Sequence, residues 1–431
     1  MGIKDSMKNV STALRLDSHH GIERFGVFVA AIAVSFVLLF GSAAVSSVTN
    51  QQADLDSTTL YTPTFTTSRT QVSGEVNGVY VNTDRTRALL LMQFKSTSVM
   101  SANAEKYKAY LTGATSDLKD QPLKSAVTGE IVVFGSTGYM GMVIDSDRPF
   151  EQQILNLTMR SNSELVYKPA DARKLREDLA GQKTFAEFDQ WRLYFNPGAS
   201  GATETAALDG DTFDAGAVYA DLVVAPQEEE VRADLDEQLE QMKVDQARIA
   251  EYTAEGRRVS VDGVQMQLPE LPAPIAGDQV TGDVAKDDTP STLELDAEWV
   301  SSRGFNFDWR DGSVEEGYIR HIVPEGDSYV TYLADKAAAG KSAEESNVRS
   351  SQLEWPLTNG RLLTDYGTSD KAMQPLFEIR NDLSQAMDDY FKHKSTYQNE
   401  TLAKLVELEV DLETVRASSS SRTDAEALFT Y

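Results

Sequence analysis

Hydrophobic and polar positions divide the chain into three kinds of stretch. The first is an apolar run of about 24 residues, Phe25–Val48, without a single charge. At ~1.5 Å per residue, a helix of that length crosses a hydrocarbon core ~30 Å thick, so the run predicts a membrane span. Lys4, Lys8, Arg15 and Arg24 precede it, whereas the stretch up to residue 68 holds Asp54 and Asp56 but no Lys or Arg. The positive-inside rule therefore places the 1–24 tail in the cytoplasm and the bulk of the chain outside the cell membrane. Ser42, Ala43 and Ala44 leave a second route open, cleavage after Ala44 as a signal peptide, which exports the same residues.

The second kind of stretch alternates. After a Thr/Ser-rich stalk at 49–70, Asn77-Gly78 lies between short β patterns and suits a two-residue hairpin. Ala88–Phe94 is apolar almost throughout and reads as a strand buried on both faces. Two further runs flank Gly135-Ser136-Thr137-Gly138, and Leu155, Leu157 and Met159 alternate with polar neighbours, as do Trp191, Leu193 and Phe195. A short helix is expected at 171–183 and another strand at 218–224. Evenly spaced strands with glycine-bearing turns predict a mostly-β, sandwich-like domain over 71–225. A second β region is expected over 257–370, with a hairpin at Asp262-Gly263, a Pro/Asp-rich linker at 268–290, and turns at Asp311-Gly312 and Asn359-Gly360.

The third kind has helical periodicity. In 226–256, Val231, Leu235, Leu239, Met242, Ile249 and Tyr252 share a stripe that Gln238, Asp245 and Gln246 interrupt. In 371–416, Leu376, Ile379, Leu383, Ala386, Tyr390 and Tyr397 keep one heptad phase. Leu405, Leu408, Leu412 and Val415 keep another, displaced by one residue. That displacement means two helices in line or one helix with a break near Ser395-Thr396 and Asn399. The stripe of Pro375–Val415 can pack within the chain or pair with another chain, a possible protein partner or self-association. Residues 417–431 are expected to be a disordered tail. The fold class is α+β: a transmembrane helix, mostly-β extracytoplasmic domains and two long amphipathic helices.

Composition sharpens the picture in two ways. The net charge of −27 repels nucleic acid and suits a soluble ectodomain, a basic partner or a divalent cation. The absence of cysteine removes thiol catalysis and thiolate metal sites, and in an exported chain of this size points to a bacterial cell envelope.

Candidate chemistry is sparse. On the expected extracytoplasmic side only His321 and His393 occur, without metal-ligand spacing. No G-x-S-x-G surrounds any serine, and Gly340-Lys341-Ser342 lacks the glycine that opens a phosphate loop. Asp308, Asp311, Glu315 and Glu316, beside Phe305, Phe307 and Trp309, mix acids and aromatics as a glycoside-hydrolase site does, two carboxyls with a ring to stack on. The same alternation also describes a hairpin with its rings turned inward. Asp209, Asp211 and Asp214 bring three hard oxygen donors into one loop, a calcium candidate without EF-hand order. The expected role is a single-pass, membrane-anchored extracytoplasmic binding or scaffolding protein of a bacterial cell-envelope assembly. A wall-active glycoside hydrolase is the alternative.

Overall fold

The computed structural model describes residues 57–96, 100–161, 188–272, 275–286, 289–301, 304–344 and 353–431. The expected span Phe25–Val48 and the expected helix at 171–183 lie outside them. Among the described residues no helix is long and apolar enough to cross a membrane.

Two sheets face each other. The larger contains β1 (Thr64–Thr66), β2 (Ser73–Val81), β3 (Arg87–Phe94), β6 (Val127–Val133), β7 (Tyr139–Ser146), β10 (Thr203–Glu204) and β15 (Ser420–Arg422). They run in the order β1-β2-β3-β7-β6-β15, with β10 also on β2. The smaller contains β4 (Tyr107–Ala114), β5 (Asp120–Gln121), β8 (Ile154–Ser161), β9 (Gln190–Phe195) and β16 (Leu428–Thr430), ordered β16-β4-β8-β9 with β5 on β4. Leu90, Met92, Met140 and Met142 from one sheet meet Leu111, Leu157, Met159 and Leu193 from the other in a shared core. The larger sheet is covered on its second face as well, where Leu89, Leu91, Tyr139 and Val143 pack into the core that the helices share. Double coverage is why β3 is apolar at consecutive positions: Leu89, Leu90 and Leu91 are all buried.

Several sequence expectations are corrected here. Asn77-Gly78 is not a hairpin turn but a bulge within β2, where the pairing with β3 shifts register between Val76 and Gly78. Val76 and Val79 both face the sheet–sheet core. Three positions apart on a regular strand they would point to opposite faces, and the extra residue brings them to the same one. The chain turns at 82–86 instead, where the Asn82 carboxamide accepts from the Thr86 and Arg87 amides at 2.8 and 2.9 Å. The stalk is shorter than expected, because Phe65 of β1 is buried against Phe94 and Trp191. The tail is ordered: β15 pairs antiparallel with β6 and β16 pairs parallel with β4, so the C-terminus adds a strand to each sheet.

Helical structure begins at Ala215 and runs on through 218–224, the stretch read as a strand. Val218, Val223 and Val224 are buried in a helix because the larger sheet offers them a surface, and burial outweighs the weak strand preference of valine. α1 (Ala215–Tyr219) runs through a π-turn, Ala220–Val224, into α2 (Ala225–Arg258). The wide turn lets Pro226 sit inside a continuous helix, since proline there would otherwise clash with the preceding turn. α3 (Tyr329–Glu344) follows later, and Gly340-Lys341-Ser342 falls within it.

α4 (Gln374–Thr396) likewise continues through a π-turn, Tyr397–Thr401, into α5 (Leu402–Ser418). A π-turn inserts one residue. That accounts for the one-residue displacement between the two heptad phases: this is one helix with a bulge.

The two long helices, about 65 Å each at ~1.5 Å per residue, lie antiparallel. Gly216 abuts Arg416, Asp245 bonds His393 and Gly256 abuts Ile379. Their stripes therefore cover one another within the chain, with Leu235, Leu239, Met242, Leu383, Ala386, Leu405 and Leu412 all at or near zero exposure.

The second β region is mostly irregular, with two short ladders, β11 (Ser260–Val261) with β12 (Val264–Gln265) and β13 (Gln279–Thr281) with β14 (Glu294–Asp296). The first is the hairpin expected at Asp262-Gly263, whose φ values of 51° and 80° fit its turn. The expected linker at 268–290 is docked, not free: Ile275 and Val280 are buried in the helical core.

Candidate functional site

The polar residues that interrupt the helical stripes converge. Asp245 and Gln246 of α2 face His393 and Tyr390 of α4, and the 275–281 segment closes over them. The Lys394 ammonium donates to Asp278 Oδ2 at 2.6 Å, and the Tyr390 hydroxyl donates to the same oxygen at 2.8 Å. The side chains of Lys394 and Asp278 are 0% and 4% exposed. Burial disfavours charge on both, pushing the Asp278 carboxyl up and the Lys394 ammonium down from their ordinary values. Gln246 spans the cluster, donating to the Asp278 carbonyl at 3.0 Å and accepting from the Val280 amide at 3.2 Å. Beside it, Asp245 pairs with His393 at 2.8 Å and with Arg248 at 3.1 Å, and Arg248 reaches Asp389 at 3.1 Å.

A second polar seam lies at the bulge Tyr397–Thr401, just after Lys394 on the same long helix. The Gln398 carbonyl accepts from the Phe305 amide at 2.8 Å, its side chain accepts from the Val300 amide at 2.9 Å, and Ser301 Oγ donates to Asn399 at 2.7 Å. The bulge thus receives Val300, Ser301 and Phe305 through one carbonyl that a regular α-turn would occupy and through the Gln398 and Asn399 side chains. Trp309 follows, buried, donating from Nε1 to the Tyr397 hydroxyl at 3.1 Å, with the Arg310 and Arg232 guanidiniums 4.2 and 5.6 Å from its ring centre. Arg310 pairs with Asp236, and Arg232 with Glu228.

Glu409 closes this seam. It accepts from the Tyr318 and Ile319 amides at 2.6 and 2.8 Å, and burial nevertheless raises its pKa above the ordinary 4.5. A carboxyl raised in the folded state adds stability that is fully present below its unfolded pKa and is lost as pH rises through its folded value. The Glu409→Gln variant is expected to gain less stability than wild type as pH falls from neutral toward 4.5. Urea unfolding of both proteins at matched pH values checks this, and parallel curves refute it.

The acids singled out in the sequence are dispersed in their roles. A cleft of about 220 Å³ is lined by Asp308, Phe307, Trp309, Arg310, Asn306 and, from β14, Glu294. Asp311, Glu315 and Glu316 are exposed and do not line it. Phe305 and Trp309 are turned inward and Phe307 is half-buried, so the rings chiefly hold the segment to the helices.

The calcium candidates have separate duties: Asp209 accepts from the amide and hydroxyl of Thr83, both at 2.8 Å, and those bonds hold its carboxyl below the ordinary value. Asp214 caps α1 through the Ala217 amide at 3.0 Å, and Asp211 is exposed. No group of three metal-ligating side chains occurs among the described residues. His321 is exposed and accepts from Arg320.

Sequence reasoning missed the Asp278–Lys394 pair, because a linker aspartate and a helical lysine carry no local signature. The interrupted stripe at Asp245 and Gln246 was its one visible trace. In comparisons with protein families, curated proteins and solved structures, nothing matches this chain.

Proposed function

We propose that this protein is a single-pass, membrane-anchored extracytoplasmic binding or scaffolding protein of a bacterial cell-envelope assembly, its helical hairpin serving as a stiff arm on a β-sandwich base. The observation that carries the reading is the way the arm is rooted. Its first helix packs on the larger sheet through Val218, Tyr219 and Val223, and its second runs on into strands of both sheets. A lever fixed at its base transmits position or force, which suits a scaffold. The uncharged Phe25–Val48 run, the basic residues before it and the acidic remainder support the membrane address.

An N-terminally tagged chain is expected to stay in the membrane fraction after alkaline extraction. Protease added to spheroplasts is expected to digest the remainder while sparing the tag, and in-cell cross-linking to yield a discrete complex. Recovery of the full chain in the soluble fraction overturns the anchor. A chain that stays in the membrane but forms no cross-linked complex overturns the scaffold.

Asp308 and Glu294 in one cleft favour a second reading, a wall-active glycoside hydrolase, with Glu294 standing where the sequence offered Asp311, Glu315 and Glu316. Sugar release from cell-wall polymer that falls in Asp308→Asn and Glu294→Gln supports it, and no release refutes it.

A further inference from the structure

The Asp278–Lys394 contact joins an amine to a carboxyl in a setting unlike that of an ordinary ion pair. The groups are 2.6 Å apart, both side chains are almost fully enclosed, and each partner is fixed by its own element, Asp278 just before β13 and Lys394 near the end of α4. Ile275 and Val280, flanking Asp278, are buried, as is Tyr390 one turn before Lys394. We propose that Lys394 and Asp278 condense within the folded protein into an intramolecular amide, a self-made cross-link between the helical arm and the 275–281 segment.

The chemistry balances without an oxidant or co-reactant. A proton passes from the ammonium to the carboxylate, giving an amine and a carboxylic acid. Burial favours that neutral pair by pushing the two groups toward their uncharged forms. The Lys394 Nζ lone pair attacks Asp278 Cγ, forming the C–N bond. The C–O bond to the carboxyl hydroxyl then breaks, and that hydroxyl takes a proton from nitrogen and leaves as water. The Tyr390 hydroxyl, donating to Oδ2, polarises the carboxyl and steadies the charge that develops on it. The negative charge of Glu298 raises both groups: it helps keep Asp278 protonated, while on Lys394 it favours the ammonium and is outweighed by burial, the larger effect. Fixed partners at contact distance supply an effective concentration far above that of free reactants, and a water-poor site disfavours the reverse hydrolysis. This does not rest on the membrane address.

Peptide mapping of the full chain, folded and held at neutral pH, tests it. A lysine-specific protease is expected to spare the bond after Lys394 and to yield a branched peptide joining the segments around residues 278 and 394. That peptide is lighter than the two linear ones together by one water, about 18 Da. Lys394→Arg, which keeps the positive charge but cannot form this amide, is expected to give linear peptides only, as is Asp278→Ala. Linear peptides alone from the folded wild type overturn the proposal whether or not the variants fold.

Discussion

Replacing Lys394 with Met is expected to lower the unfolding free energy by ~3–5 kcal/mol, because it leaves the Asp278 carboxyl enclosed without its cation. Tyr390 and the helices still surround the acid, so water cannot replace the lost partner. The loss should be visible as a shift of the urea midpoint at unchanged slope. Adding Asp278→Leu to the variant removes the stranded group and is expected to restore most of that loss if the pair is ionic. An amide-linked pair gives a different result. Closing a loop of roughly one hundred residues contributes ~4–5 kcal/mol, and the double variant then stays below wild type by an amount of that order. A single variant that unfolds with the wild type shows that the pair contributes nothing to stability.

Deleting residues 420–431 is expected to be at least as damaging. β15 covers the β6 edge of the larger sheet and β16 lies along β4 of the smaller, so deletion exposes an edge of each. Arg422 ties the two together, lying on β15 while donating to the Tyr107 carbonyl of β4 at 2.9 Å. Ala427 is fully buried, and Leu428 and Phe429 are half-buried. With ~1.5–3 kcal/mol for each large side chain fully buried, partial burial of two and the lost ladders together amount to about 4 kcal/mol. The exposed edges also template intermolecular pairing. Thermal unfolding and light scattering of the truncated protein check this, and an unchanged midpoint without aggregation contradicts it.

The elements most legible in the sequence were those whose signal is local. The strand at 88–94 was readable as doubly buried because only a covered sheet tolerates consecutive leucines, and Asp262-Gly263 was readable because few residues adopt that turn. The phase displacement in 371–416 marks a break in the helix, and its size of one residue is that of a π-bulge. Where local signals conflicted with packing, they failed. Val218, Val223 and Val224 resemble a strand but are recruited into a helix by the sheet beneath them, and Asn77-Gly78 resembles a turn but bulges so that Val76 and Val79 share a face. The 417–431 stretch looked unstructured because two three-residue strands cannot hold together alone; each is stable only against a sheet made some three hundred residues earlier in the chain.

The sequence by itself determined the α+β class, the two long helices with their seam positions, the sandwich strands β2, β3, β6, β7, β8 and β9, and the uncharged run Phe25–Val48. These follow from period, length and charge, which neighbouring residues carry among themselves. Only the tertiary structure decided that the helices cover one another within the chain, that the C-terminus closes both sheets, and that Asp278 meets Lys394. Such pairings depend on which distant surfaces come together, and a linker aspartate reads the same in water as it does enclosed beside an amine.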